Sequence, residues 1–117
     1  IIPHGMSVSL NASAVFKFTA SSNPGRHLEA ARFLGEEVSE ADKNSAGEIL
    51  GDAVTNIMRK IGMPNGLRAV GYSEKDADKL VEATLPQHRV IKLSPIEVDA
   101  KDLKNLFIKS LDDSWID

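Results

Sequence analysis

The strongest candidate for chemistry in this sequence is a single histidine, His4, which lies between Pro3 and Gly5. A neutral imidazole is a good ligand for iron or zinc, and a helix start carries a partial positive charge that keeps a nearby ring unprotonated. A stable metal site needs several converging ligands, so one histidine forms only a corner of it. On the residues alone, His4 is either one corner of a divalent-metal site whose other ligands lie outside this sequence or a capping or surface residue at a helix start, and the second interpretation is favoured.

The two other histidines and three of the glycines give weaker signals. His27 lies in a polar stretch and is interpreted as a solvated helix residue, and His88 is interpreted as an exposed loop residue. No pair of histidines has the i, i+4 spacing of two ligands on one helical face, so no site built from histidines alone is predicted. Three glycines match neither the Rossmann nor the P-loop spacing and are interpreted as helix punctuation. They are Gly62, Gly66 and Gly71.

Charged residues suggest two further sites, and a structural interpretation is favoured for both. An acidic tail is interpreted as a solvated terminus rather than as a weak cation site; it contains Asp112, Asp113 and Asp117. Four cations have the chemistry to receive a dicarboxylate, although no spacing brings them together. They are Arg26, Arg68, Arg89 and Lys92. Trp115 is predicted to pack against a neighbouring helix or against a segment outside this sequence.

Length and composition fit one globular domain. The chain has 117 residues, of which 42% are hydrophobic and 26% are charged, as is ordinary for a globular protein. The net charge of −3 does not indicate a nucleic-acid-binding protein. No apolar run reaches the roughly 18 residues that cross a bilayer. The lack of cysteine excludes disulfides and thiolate metal sites. The chain begins Ile1-Ile2-Pro3 without a Met or a targeting peptide, which favours a fragment of a longer protein.

Four segments carry the periodicity and the end signals of helices. The strongest runs from Ser45 to Ile61, where Ser45 and Glu48 form a capping-box pattern and Gly62 supplies the stop. A second helix is predicted from Pro24 to Leu34. A third begins after Ser73, with Asp76 in the capping-box position, and ends before Pro86. The last begins after Asp99. The polar stretch 35–44 and the glycine-rich stretch 63–72 are predicted to be connectors.

The first segment, residues 6–18, has an ambiguous pattern. Its apolar and polar residues alternate with the two-residue period of a strand. As a helix, the same residues form two stripes about half a turn apart: Met6, Leu10, Ala14 and Phe18 on one side, and Val8, Ala12 and Phe16 on the other. A helix that is apolar on two sides lies between two packing surfaces, of which the second would be supplied from outside this sequence. The pattern alone favours the strand.

An ordered set of motifs runs along the chain. It comprises Pro3-His4-Gly5 with residues 6–8, Gly35 at a helix end, and the stretches 14–20, 24–28, 69–73, 84–87 and 90–95. In this order the motifs resemble the C-terminal part of the iron-containing alcohol dehydrogenases, and within that family the mitochondrial hydroxyacid-oxoacid transhydrogenase branch. The resemblance covers essentially the whole chain. It implies a helix for residues 6–18, and we adopt that prediction over the strand.

The resemblance also implies the fold and the cofactors. Residues 1–117 are expected to form an all-α helical bundle, the C-terminal domain of the dehydroquinate synthase-like and iron-containing alcohol dehydrogenase fold. A separate N-terminal α/β domain is expected to bind NAD, and a divalent metal, iron or zinc, to lie in the cleft between the domains. The family's metal ligands are one Asp and three His, of which the last corresponds to His4. The other ligands and the NAD-binding residues are expected to precede Ile1.

The implied activity is hydride transfer from a 4-hydroxy acid such as 4-hydroxybutyrate, through bound nicotinamide, to 2-oxoglutarate. The chain alone is expected to be inactive and to bind metal weakly, and the same resemblance suggests a mitochondrial location and a homo-oligomer. Two alternatives stay open. One is a domain of a generic iron-containing alcohol or glycerol dehydrogenase. The other is a non-catalytic helical interaction domain, whose partner would cover the second apolar stripe of residues 6–18.

Overall fold

The computed structural model describes residues 4–87 and 91–112 of the chain, and these residues form helices without any strand. The helices are α1 (His4–Thr19), α2 (Pro24–Phe33), α3 (Ala46–Lys60), α4 (Ala77–Thr84) and α5 (Ala100–Lys109). Short 3-10 turns lie between them, including Leu67–Val70 in the connector that follows α3. The prediction of an all-α fold is confirmed, and the predicted helix bounds agree with the structure to within a turn.

Residues 6–18 form the middle of α1, so the helix that the resemblance implied is confirmed and the strand favoured by the alternating pattern is wrong. One predicted stripe faces the core: Leu10 is fully buried and Ala14 is 7% exposed. The other stripe is turned away from it, and its Val8 is 55% exposed. The alternation misleads because residues four positions apart in a helix share a face, as do alternate residues in a strand.

Two glycines of α3 allow α1 to pack closely against it. A Cβ on Gly47 would lie 2.9 Å from Ala20 Cβ and 3.0 Å from Lys17 Cα, and a Cβ on Gly51 would lie 3.0 Å from Ser13 Oγ. The bare glycine backbones thus accept the α1 surface directly. At the edge of this contact Lys17 Nζ pairs with Asp52 Oδ1 at 3.5 Å. The two helices are antiparallel, since Ser13 lies beside Gly51 and Lys17 beside Gly47.

Replacing Gly47 by alanine is expected to destabilise the domain by about 1–3 kcal/mol, because the added methyl group overpacks the α1–α3 contact. The matched control is Gly25→Ala in α2, where the nearest atom to the new Cβ is Asn23 Oδ1 at 3.8 Å. That variant is expected to gain about 0.5–1 kcal/mol from the better helix propensity of alanine. Urea unfolding of both variants measures the difference, and an equal effect of the two would contradict the packing argument.

The start of α3 differs from the predicted capping box. Ser45 is the N-cap residue, but its side chain makes no capping hydrogen bond. A 3-10 turn, Lys43–Ser45, precedes the helix instead, and Asp42 Oδ1 accepts from the Asn44 backbone N–H at 2.9 Å. The predicted Ser45–Glu48 capping box is therefore wrong. The helical conformation begins one 3-10 turn earlier, and Asp42 supplies the capping acceptor there.

The connector 63–72 is fastened to the end of α5 by backbone hydrogen bonds. Leu67 N–H donates to Ser110 O at 2.8 Å and Arg68 N–H donates to Leu111 O at 2.9 Å. Leu67 and Leu111 join Leu10 of α1 in a buried cluster. Partly buried apolar side chains pack around it: Met6, Met63, Val70, Tyr72 and Phe107. The core thus joins α1, the connector and the end of α5.

The capping box predicted at Ser73 and Asp76 is present ahead of α4, and the structure adds one at the start of α5 that was not predicted. Asp76 Oδ2 accepts from the Ser73 backbone N–H at 2.8 Å, ahead of a 3-10 turn that leads into α4. At α5, Asp99 Oδ1 accepts from the Asp102 N–H at 2.8 Å and Asp102 Oδ2 accepts from the Asp99 N–H at 3.1 Å. Reciprocal bonds of this kind satisfy donors that the first helical turn leaves free.

The capping carboxylate of Asp99 makes the stability of α5 depend on pH. The Asp102 backbone N–H favours the carboxylate and holds the pKa of Asp99 below its ordinary 3.8. A lowered pKa contributes stability above pH 3.8, which is lost as the pH falls through the lowered pKa. Asp99→Asn keeps a capping acceptor but does not titrate. Between about pH 5 and pH 2, the Tm of Asp99→Asn should therefore fall less than the Tm of the native chain. An equal fall of the two Tm values would contradict a capping role for the Asp99 carboxylate.

Within residues 4–87 and 91–112, no helix has the length and apolar character needed to cross a membrane.

Candidate functional site

His4 is the first residue of α1, and its side chain is exposed. Side chains of the same helix hold the backbone around it: Ser7 Oγ donates to His4 O at 2.8 Å, and Asn11 Nδ2 donates to Ser7 O at 2.7 Å. These bonds run back along the helix over its first two turns. They involve the backbone around His4 and leave its imidazole exposed at the start of the helix.

The face of α1 that carries His4 is the face turned away from the core. At 100° per residue, Val8, Ala12 and Val15 follow His4 on one side of the helix, while Leu10 lies on the opposite side. Val8 is exposed, and Ala12 and Val15 are half-buried. His4 therefore stands at one end of an apolar helix face.

His4 suits a divalent metal as a single donor. Its ring has no hydrogen-bond partner within the part of the chain that the structure describes, so a nitrogen lone pair is available. Across residues 4–87 and 91–112 no group of three or more His, Asp or Glu side chains is arranged to hold a metal ion. The donor chemistry fits iron or zinc, but the remaining ligands would have to come from another part of the parent polypeptide.

His27 has a structural role, so its interpretation as a solvated helix residue is wrong. Its ring is half-buried, and its Nδ1 lies 2.8 Å from Asn23 O, which can only accept. Nδ1 therefore carries the proton, and Nε2 accepts from Thr19 Oγ1 at 2.9 Å. The ring also meets Phe16 edge-on, at 6.4 Å between centroids. Both nitrogens are occupied, so His27 has no lone pair left for a metal, and it ties the start of α2 to the end of α1.

A sequence signal for this role exists. His27 follows the N-cap residue Asn23 by four positions, which is the spacing at which a side chain meets the carbonyl of the preceding turn. The contacts with Phe16 and Thr19 were not predicted, because those residues belong to the preceding helix and the neighbours of His27 in the sequence are polar.

The three glycines are helix punctuation, as predicted. Gly62 follows the last turn of α3 with φ +79°, and Gly71 ends the 3-10 turn Leu67–Val70 with φ +103°. Gly66 opens the same turn with φ +82°, and a Cβ at this position would collide with the backbone of Leu111. All three have positive φ, which favours glycine. Gly66 in addition allows the close approach of the connector to the end of α5.

Among the residues that the structure describes, the charged candidates do not form a binding site. Arg68 Nε donates to both carboxylate oxygens of Asp112 at 3.2 Å, so Asp112 is ion-paired rather than simply solvated. Arg26 lies on α2 and Lys92 lies before α5, each on a different segment from Arg68. No contact among the described residues supports a dicarboxylate site. The remaining candidates lie outside the described residues: His88, Arg89, Asp113, Trp115 and Asp117.

Comparison with protein families gives one match over nearly the whole chain. The model described as "Fe-containing alcohol dehydrogenase family, C-terminal" matches residues 1–111.

Curated relatives of high similarity carry one name. A probable mitochondrial hydroxyacid-oxoacid transhydrogenase of Dictyostelium discoideum is 50% identical over 111 residues, which is 95% of this chain and 20% of that protein. The mitochondrial hydroxyacid-oxoacid transhydrogenases of Rattus norvegicus and Homo sapiens are each 44% identical over 95% of this chain and 24% of their own length. The chain thus spans between a fifth and a quarter of the length of these relatives.

A solved structure has the same fold. The crystal structure of a 1,3-propanediol oxidoreductase superposes on 93% of this chain and 28% of its own length with a TM-score of 0.84, at 23% sequence identity. Since the identity is low, the likeness concerns the arrangement of the helices. It agrees with an all-α C-terminal domain.

Proposed function

Because this chain belongs to the Fe-containing alcohol dehydrogenase family, whose C-terminal domain it forms, we propose that it is the metal-site domain of a mitochondrial hydroxyacid-oxoacid transhydrogenase. The observation that carries the proposal is the identity of 44–50% to proteins of that name over 95% of the chain. A further support is His4, whose exposed imidazole at the start of α1 is a suitable donor for the metal that the family resemblance implies.

The proposed reaction is a hydride exchange between two acids. 4-Hydroxybutyrate loses a hydride from its carbinol carbon and a proton from its hydroxyl group, and becomes succinic semialdehyde. 2-Oxoglutarate gains the hydride at its keto carbon and a proton at the oxygen, and becomes 2-hydroxyglutarate. Atoms and electrons balance without an external oxidant, since the nicotinamide supplies a hydride carrier that ends each cycle in its starting state.

Within this reaction the residues of this chain have a positioning role. His4 would hold one coordination position of a bound iron or zinc, and the Ser7 and Asn11 side chains bond to the backbone of the α1 turns that carry it. The metal, when bound, supplies Lewis-acid polarisation of the substrate oxygen. The other ligands and the NAD site would come from the part of the parent polypeptide that precedes this domain, so the 117-residue chain alone should be inactive.

A deuterium-transfer assay of the full-length protein tests the proposal. The enzyme is supplied with 4-hydroxybutyrate deuterated at C4, with 2-oxoglutarate, and without free NAD. Mass spectrometry should find deuterium at C2 of 2-hydroxyglutarate, in an amount equal to the succinic semialdehyde formed. Absence of labelled 2-hydroxyglutarate would refute the transhydrogenase. In a second assay with added NAD, oxidation of glycerol or simple alcohols with formation of free NADH would identify a generic dehydrogenase instead.

A further inference from the structure

The connector 63–72 contains the dipeptide Asn65-Gly66, which has a chemistry of its own. We propose that Asn65 is a latent deamidation site, which the native connector protects and which becomes reactive when the connector separates from α5. The co-reactant is water, and the product is an aspartate or an isoaspartate residue at position 65. The inference is independent of the proposed function, since it involves neither the metal nor a substrate.

Deamidation is least hindered where glycine follows asparagine. The backbone nitrogen of the glycine attacks the side-chain carbonyl carbon and gives its proton to solvent, and the new C–N bond closes a five-membered succinimide. The side-chain nitrogen leaves as ammonia, and water then opens the ring at either carbonyl group without any change of oxidation state. Glycine has no Cβ to obstruct the attack. Among the asparagines of the chain, only Asn65 precedes a glycine.

The native turn around Asn65 holds the reacting atoms apart. The Gly66 N–H donates to Pro64 O at 3.0 Å, which closes a three-residue γ-turn with Asn65 at its centre. No described residue other than glycine has a positive φ, so this is the inverse γ-turn, whose central ψ is about +65°. At that ψ the Asn65 Cβ is directed away from the Gly66 nitrogen. A succinimide requires both atoms on the same side of the Cα–C bond, so the turn is unreactive.

The side-chain amide of Asn65 is also removed from solvent. Its Oδ1 is buried and has no hydrogen-bond partner among the described residues. Water therefore does not solvate the charge that develops on this oxygen during the attack. A buried acceptor without a partner is unfavourable, so packing rather than hydrogen bonding keeps the oxygen in place. Hydration of this oxygen favours the open form of the connector.

Contacts with the end of α5 maintain the turn. The Arg68 N–H donates to Leu111 O at 2.9 Å, shortly after the dipeptide. Gly66 itself lies so close to the Leu111 backbone that a Cβ would collide with it. A rotation of ψ at Asn65 therefore requires the connector to move away from α5. Such local openings occur in native proteins without global unfolding, and this one is the step that makes Asn65 reactive.

Deamidation would keep the connector from returning to its native position. An isoaspartate adds a methylene group to the main chain, so the backbone bonds that follow lose their register with α5. An aspartate keeps the register but places a carboxylate where the Asn65 Oδ1 is buried without a donor, which costs more than a neutral amide does. Each deamidated molecule should therefore have a permanently weakened connector, and such molecules accumulate as the protein ages.

Peptide mapping of the full-length protein by mass spectrometry tests the site. The protein is incubated at neutral pH in buffer and in urea, and Asn44, which is exposed and precedes a serine, is the internal reference. In urea, Asn65 should deamidate about tenfold faster than Asn44, because glycine lacks the Cβ of serine. In buffer, its rate should be at least about tenfold lower than in urea, because only the open fraction reacts.

Two results of this experiment would contradict the proposal. Equal rates at Asn65 in buffer and in urea would show that the native connector gives no protection. Equal rates at Asn65 and Asn44 in urea would show that the dipeptide is not a special site.

Leu111→Ala tests whether the contact with α5 controls the reaction. The substitution removes a buried side chain from the cluster that holds the connector but leaves the reacting dipeptide intact. In buffer, Asn65 should then deamidate several-fold faster than in the native protein, while Asn44 keeps its rate. Leu93→Ala is the matched control and should change neither rate, since Leu93 is 76% exposed. Unaltered reactivity of Asn65 in a folded Leu111→Ala variant would refute the role of α5.

Hydrogen exchange gives the same information without a substitution. The Leu67 and Arg68 amides are bonded to the end of α5, so they should exchange through the opening that makes Asn65 reactive. Low concentrations of urea that accelerate their exchange should accelerate deamidation of Asn65 in proportion. Deamidation that accelerates while both amides stay protected would assign the reaction to a different opening and overturn the proposal.

Discussion

In the full-length protein that contains this domain, His4→Ala is expected to abolish tight metal binding and to lower transhydrogenase activity by more than about 100-fold. Loss of residues that merely orient metal ligands already costs about 10- to 100-fold, so loss of a direct ligand should cost more. The side chain is exposed at the start of α1, and its removal leaves no cavity and breaks no hydrogen bond among the described residues. Metal content per subunit and the deuterium-transfer rate measure the effect.

His27→Ala is the matched control for this prediction. It also removes an imidazole, but one whose two nitrogens are bonded to Asn23 O and Thr19 Oγ1. We expect a loss of about 1 kcal/mol in stability and an unchanged metal stoichiometry. Added imidazole should restore part of the metal binding of His4→Ala. If His4→Ala retained its metal, the ligand assignment would be wrong, whether or not the enzyme remained active.

Gly66→Ala should have the largest effect on stability, a loss of about 3 kcal/mol or more. Its φ of +82° with ψ of −179° belongs to a region that only glycine occupies readily. In addition, a Cβ at Gly66 would collide with the carbonyl group of Leu111. Backbone cannot move aside as a flexible side chain can, so the connector must separate from α5. The bonds from Leu67 and Arg68 to the end of α5 would then be lost as well.

Gly62→Ala separates the two contributions. Gly62 has nearly the same φ, +79°, but a Cβ there meets nothing within 4 Å. This variant should lose only about 1–2 kcal/mol, the cost of a left-handed conformation for an L-residue. Chemical denaturation of both variants gives the comparison. Similar losses would show that the contact with Leu111 relaxes easily, and the fastening of the connector would need another explanation.

The helices that the sequence predicted well are those with one apolar face and clear end signals. α3 and α5 have both, and their bounds agree with the predictions. α1 lacks a single apolar face, because Val8 and Leu10 lie on opposite sides of it, and its alternating pattern favours a strand. Periodicity identifies a helix by its single apolar face, so it fails for a helix that is apolar on two sides. Only the family resemblance predicted a helix here.

The candidate site was predictable to a lesser extent. His4 could be selected from its motif and the family resemblance, but the contacts of the other candidates join segments that are distant in sequence. The contact of His27 with Thr19 and the pairing of Asp112 with Arg68 join residues 8 and 44 positions apart. Periodicity describes one segment at a time, so contacts between segments are outside its reach. The cap at Asp42 was missed for a local reason, since Asp42 and Ser45, three positions apart, are both of a residue type that caps helices.

The buried cluster of Leu10, Leu67 and Leu111 has a consequence for biosynthesis. Leu10 is made first, yet its partner Leu111 leaves the ribosome only after about a hundred further residues have been added. Until then the Leu10 side of α1 is only partly covered, and the connector lacks its acceptors, the carbonyl groups of Ser110 and Leu111. The nascent domain is therefore open to non-native contacts for most of its synthesis. Chaperone engagement should be greatest before residues 110–112 emerge and should fall sharply once they do.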